Sequence, residues 1–172
     1  MRFLTQEDSF EWCKHHAFKV TVSSNGLYET RDLESVSSHS IRFSPPSDSG
    51  KKVALARAIV EQWELKSGML LWVQNWGVWP SSGHLPLMGL VRTALGEKRS
   101  LHLTPGHLAG LEDKDAAVSI LVVSLEFFWD CLVCTAEDGN AFFTSHDEYC
   151  VISCRSVSDI KKAENLLRSV CS

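Results

Sequence analysis

DKDAAVSILVVSLEF, from Asp113 to Phe127, is the stretch whose reading decides the fold. Its centre is almost continuously apolar, which suits either a central buried helix or a long buried strand. The length favours a helix, while the β-branched Val118, Ile120, Val122 and Val123 favour a strand. The expectation is a helix, with Glu112, Asp113 and Asp115 placed at its positive end. A helix here delivers the chain into three successive strand candidates, Trp129 to Thr135, Ala141 to Thr144 and Tyr149 to Cys154. Turns at Glu137-Asp138-Gly139-Asn140 and at Asp147-Glu148 separate them, so the segment reads as an antiparallel meander.

The flanking pattern mixes helices with hairpins. Downstream, Ser156 and Asp159 form a capping box for a helix from Val157 to Val170, with Ile160, Ala163, Leu167 and Val170 on its apolar face. Upstream, Pro86 and Gly96 bracket a helix from Leu85 to Leu95, and Leu101 to Gly110, with Pro105-Gly106, reads mostly as turn. Met69 to Val73 reads as a buried strand. Before it, Leu55, Ile59 and Trp63, reinforced by Ala56 and Val60, stripe a helix from Lys51 to Lys66 capped by Ser47, Asp48 or Ser49. Seven serines and Pro45-Pro46 make residues 35–50 mostly loop, interrupted by a short strand from Ser40 to Phe43. Asn25-Gly26 marks a hairpin between Lys19–Val22 and Leu27–Asp32. Thr5 and Asp8 cap a first helix to about His16 that buries Phe10, Cys13 and Ala17. Phe3-Leu4 is either a short strand or a lead-in to that helix. The fold class expected is α+β: one domain over 1–172, with antiparallel hairpins and a meander packed against about five helices.

Composition is ordinary for a globular chain of 172 residues, 44% hydrophobic and 22% charged. A net charge of −4 and a pI near 6.0 argue against general nucleic-acid affinity, which needs clustered positive charge. Met1-Arg2-Phe3-Leu4 leads into Thr5-Gln6-Glu7-Asp8 without an apolar signal region, and Ala116 to Phe128 is too short to span a membrane. The expectation is a cytoplasmic protein whose six cysteines are reduced thiols or metal ligands and not a disulfide framework.

Four groups of residues carry possible chemistry. Cys131 and Cys134, with Cys150 and Cys154, approach a four-cysteine zinc pattern. Strand alternation sends Cys131 and Cys134 to opposite faces, however, so the expectation is core thiols and no metal. Gly50-Lys51-Lys52 at a helix start lacks the glycine spacing and hydroxyl of a phosphate loop and reads as a solvated helix start. His146-Asp147-Glu148 offers an acid–base or binding group on a turn. Finally Trp72, Trp76 and Trp79 fall within eight residues. Trp72 reads as core, whereas Trp76, Trp79 and His84 border a loop and make a candidate recognition patch, which His102 and His107 could join.

The run Trp76-Gly77-Val78-Trp79-Pro80-Ser81-Ser82, with Trp129-Asp130 and Ser145-His146-Asp147-Glu148, resembles small bacterial proteins of uncharacterised function. That resemblance implies a shared scaffold and no chemistry. Without a coherent catalytic set, the residues point to a small acidic binding protein, most concretely an immunity or antitoxin-like inhibitor. Its partner would be a basic, toxin-like enzyme, its site Trp76, Trp79, His84, His146, Asp147 and Glu148, and it would hold no cofactor. The alternative is a histidine-dependent hydrolase or metal-binding enzyme.

Overall fold

The structure is a computed structural model that describes residues 1–22, 28–29, 39–63, 68–76, 84–137 and 139–171. In chain order its first half runs β1 (Arg2–Leu4), α1 (Gln6–His15), β2 (Thr21–Val22), β3 (Tyr28–Glu29), β4 (His39–Phe43), α2 (Ser49–Gln62) and β5 (Met69–Asn75). The second half runs α3 (His84–Ala94), β6 (Gly106–Ala109), α4 (Lys114–Glu126), β7 (Asp130–Thr135), β8 (Ala141–Thr144), β9 (Cys150–Cys154) and α5 (Val157–Cys171). Seven strands form one antiparallel sheet in the order β1-β6-β5-β7-β8-β9-β4, and β2 pairs with β3 as a separate ribbon. This is an α+β architecture, and the meander β7-β8-β9 is the one expected.

The deciding stretch is a helix. Its two serines do not break it, because each hydroxyl donates back to a carbonyl four residues earlier: Ser119 to Asp115 at 2.8 Å and Ser124 to Ile120 at 3.0 Å. That local satisfaction lets Ser124 be fully buried beside Ile120 and Leu121. Phe128 ends the helix in a left-handed conformation (φ 50°), and the Trp129 amide donates to the Ser124 carbonyl at 3.0 Å. This is the bond pattern that usually recruits glycine.

Strand alternation divides the core in two. On one face Leu71, Val73, Cys131, Val133, Phe142 and Ile152 pack under α2, α3, α4 and α5. On the other, Leu70, Trp72, Leu132, Cys134 and Val151 pack with Leu4 and Cys13 near α1. β5 is therefore buried on both faces, which explains its unbroken apolar run Met69 to Val73. Cys131 and Cys134 lie on opposite faces as alternation requires. Burial pushes the Cys131 thiol up to about 12 and holds Cys134 well above the usual thiol range.

Three expectations are corrected, and the alternative left open at Phe3-Leu4 is decided for the strand. Residues 101–110 are not mostly turn, because Gly106–Ala109 is a strand lying between β1 and β5. Gly106 belongs there for its missing side chain. A Cβ would sit 2.1 Å from Ser9 Oγ and 3.0 Å from Leu4 Cβ, so only glycine lets α1 cross this closely. Phe3-Leu4 belongs to strand β1, with Phe3 opposite His107. Ala17 is not buried with Phe10 and Cys13: it follows the helix end at φ 61°, exposed, while the Phe18 amide closes on the Cys13 carbonyl at 2.9 Å. Lys52 is not solvated. It is 5% exposed and donates to Glu126 at 2.9 Å, bridging α2 to the end of α4. The Asn25-Gly26 turn lies outside the described residues; the two flanking strands do pair, but in the register Thr21–Glu29 and Val22–Tyr28, one residue off that of a two-residue Asn25-Gly26 loop, which would set Val22 opposite Glu29. Among the described residues no helix is long and apolar enough to cross a membrane.

Candidate functional site

The helix α3 is unusual in composition. From His84 to Ala94 it carries Leu85, Leu87, Met88, Leu90 and Val91, with Arg92 as its one Asp, Glu, Lys or Arg residue. Met88 and Arg92 are the residues it buries fully. Arg92 is 2% exposed, and its guanidinium gathers the chain that follows the helix. Nη1 donates to the Thr104 carbonyl at 2.6 Å, and Nη2 to Thr104 Oγ1 and to the carbonyls of Arg99 (3.2 Å) and Ser100 (3.4 Å). A planar, always charged fork is the side chain suited to holding several acceptors at once.

Nη1 also meets His107 Nε2 at 2.9 Å, while His107 Nδ1 lies 3.2 Å from the Leu71 carbonyl. Guanidinium has no lone pair to accept with, so Nε2 must be the acceptor and Nδ1–H the donor to Leu71. Burial, followed by the adjacent Arg92 charge, pushes the imidazole pKa down to about 3. His107 is thus a neutral link between α3 and the sheet, with the Phe3 ring edge-on at 5.6 Å.

Beside this network is a cleft of about 320 Å³. Leu85, Gly89, Arg92 and Thr93, spaced as one helical stripe, form its α3 wall. Trp76 and His102 face them, with ring centroids 6.3 Å apart and planes at 72°. Lys98 and Arg99 stand at its rim, and Glu97 is held by Arg99 through Nη2 (2.6 Å) and Nε (3.0 Å). Those side-chain hydrogen bonds from Arg99 draw the Glu97 carboxyl down to about 2, so it stays ionised and occupied.

A second cluster lies where β7 begins and β8 ends. Asp130 holds His146 three ways: Oδ1 accepts the backbone amide at 2.8 Å, and the two oxygens flank Nδ1 at 2.9 and 2.8 Å. Nδ1 therefore carries the proton, and Nε2 faces Asp147 Oδ1 at 3.6 Å. An oriented imidazole of this kind can take up a proton at Nε2.

The recognition patch expected from sequence is thus only partly assembled. Trp76 and His102 meet at the cleft, whereas His107 lies beneath it behind Arg92. His84 begins α3, and Trp79 lies outside the described residues. His146 and Asp147 form a separate group with Asp130, which by alternation shares the face of Leu132 and Cys134, while Trp76 packs on the other core. Glu148 is an exposed turn residue at φ 61°. The residues that sequence reasoning passed over are Arg92, Gly89, Asp130 and the Glu97–Arg99 pair. The single charge in an otherwise apolar helix was a signal for Arg92.

Fold and site define a class: a helix-covered antiparallel sheet with an apolar cleft at the end of a central strand. Compared with protein-family models, curated proteins and solved structures, the chain matches no family model, no curated protein and no solved structure.

Proposed function

We propose that the chain is a small binding protein that docks another protein through α3, and that the partner is a basic enzyme held inactive in the manner of an immunity protein. One observation carries the docking reading. Leu85, Leu87 and Leu90 are 47%, 41% and 70% exposed on a helix whose one strong charge is turned inward. Surface helices ordinarily present charge to water, whereas Leu87 and Leu90, three residues apart, share one face as an apolar patch of the kind that marks an interface, and Leu85 lies on the cleft side. The net charge of −4, with Glu112, Asp115, Asp147 and Glu148 exposed, supplies a field that attracts a basic partner and speeds its encounter. Trp76, at the edge of the same helix, adds a rigid aromatic of the kind that anchors interfaces.

The test uses immobilised wild-type protein and a Leu90→Glu variant against lysate of the native host. The expected result is a basic enzyme recovered by the wild type, inhibited by it in solution, and lost from Leu90→Glu. The variant's stability should change by less than about 0.5 kcal/mol, because Leu90 is solvent-facing. A partner retained equally by both proteins removes α3 from the interface, and a partner whose activity is unaffected removes the inhibitor reading.

A further inference from the structure

We propose that the cleft between α3 and the segment 97–102 is a binding site for a compact apolar molecule carrying a carboxylate, such as a single-ring aromatic acid. The inference goes beyond the docking reading: Leu85 and Trp76 border both, but the cleft is lined by the Leu85–Gly89–Thr93 flank of α3 and its ligand can be tested without a partner.

The first observation is Gly89. A glycine inside a helix costs roughly 1 kcal/mol relative to alanine, because it surrenders more backbone freedom on folding. Gly89 is not in the left-handed region, and among the described residues a Cβ built on it meets nothing within 4 Å. What the missing side chain does is leave the helix backbone open to the cleft, directly opposite Trp76 and His102. The missing side chain lets a bound group approach the helix backbone at Gly89.

The second observation is charge. Arg92, Lys98 and Arg99 surround the cleft against one carboxylate, Glu97, so the surroundings keep two positive charges in a chain whose total is −4. Glu97 is already engaged by Arg99. Among the described residues the hydrogen-bond partners of Arg92 are carbonyls, a hydroxyl and the neutral His107, none of which cancels its charge. Glu97 offsets part of the Arg92 charge, and an anion placed at the rim meets the positive potential that remains beside the apolar part of the lining. Leu85, Leu101 and Trp76 supply that apolar part. A volume of about 320 Å³ is at the small end for ligand sites, which limits the occupant to about one ring with a short acidic arm.

3-Phenylpropionate and its neutral amide are suitable probes, each titrated into ¹⁵N-labelled full-length protein. The acid should shift the Gly89 amide and the Trp76 indole N–H together, and the amide should bind at least about tenfold more weakly. Gly89→Leu fills the cleft and should abolish the shifts. Should that variant fold poorly, Gly89→Ala adds one methyl into open space and should weaken the acid without lowering the melting temperature. Lys98→Glu should weaken the acid and leave the amide unchanged. Absence of shifts at millimolar acid, equal binding of acid and amide, or undiminished binding by both Gly89 variants would each overturn the proposal.

Discussion

Acidification isolates the work of His107. The folded protein holds this imidazole neutral, with its pKa lowered from 6.5 to about 3 by burial and by Arg92. The unfolded chain has no such constraint, so between those values it binds a proton that the folded state refuses. Stability from this group is therefore complete above pH 6.5 and is lost as the pH falls, because the state with more bound protons gains on acidification. The full difference corresponds to about 4–5 kcal/mol at 1.36 kcal/mol per pKa unit, and about 2 kcal/mol of it should be gone by pH 5. Glu97 does not confuse that window. Its carboxyl is lowered from 4.5 to about 2 in the folded state, so its contribution declines as the pH falls from about 4.5 towards 2, below the range in which His107 is read. The measurement is urea unfolding at a series of pH values for the wild type and His107→Gln. Glutamine can still accept from Arg92 and donate to the Leu71 carbonyl, but it does not titrate. The variant should be less stable than the wild type at pH 7.5, and its curve should slope less between pH 7 and pH 5 by about one proton. Parallel curves for the two proteins would refute the assignment of a neutral, acceptor Nε2 to His107.

Two further outcomes follow from the other buried or oriented charges. Lys52→Met should cost about 1–3 kcal/mol because it leaves the half-buried Glu126 with its Ser49 hydrogen bond but without its cation, and Glu126→Gln in the same chain should recover part of that loss in a double-mutant cycle. Additive losses would mean that the two groups do not depend on each other. The hydrolase alternative rests on Asp130 orienting His146, and it requires turnover of at least one member of an activated-ester panel that falls about a hundredfold or more in His146→Asn. Turnover unchanged by that substitution leaves the Asp130–His146 pair as turn chemistry.

What was legible in sequence was whatever local chemistry alone decides. The capping boxes at Thr5–Asp8 and Ser156–Asp159 need only their own turn, and both form as read. The stripe Leu55–Ile59–Trp63 and the meander from Asp130 to Cys154 likewise follow from period and turn residues. The strand β6 was hidden for the opposite reason. Pro105-Gly106 carries a strong local turn signal, yet the glycine is required by a helix about a hundred residues earlier in the chain, whose Ser9 leaves no room for a Cβ. The same is true of Lys52, where a local view sees a lysine opposing a helix dipole. Glu126, far along the chain, pairs with that lysine and offsets the unfavourable placement.

The candidate site shows the same division more sharply. Trp76 was conspicuous because tryptophans cluster around it, and His146 because carboxylates flank it in sequence. Yet the carboxylate that orients His146 is Asp130, which reaches it across the meander, and the residue that organises the cleft is Arg92. A lone arginine in an apolar helix looks like a solubilising charge until its acceptors are known. Those acceptors are backbone carbonyls, which carry no mark in the sequence, the Thr104 hydroxyl, and a histidine whose role depends on being neutral. Gly89 is subtler still: among the described residues a Cβ there would meet nothing within 4 Å, so its part in the proposed ligand site depends on the open helix backbone and on no side chain a sequence pattern could mark.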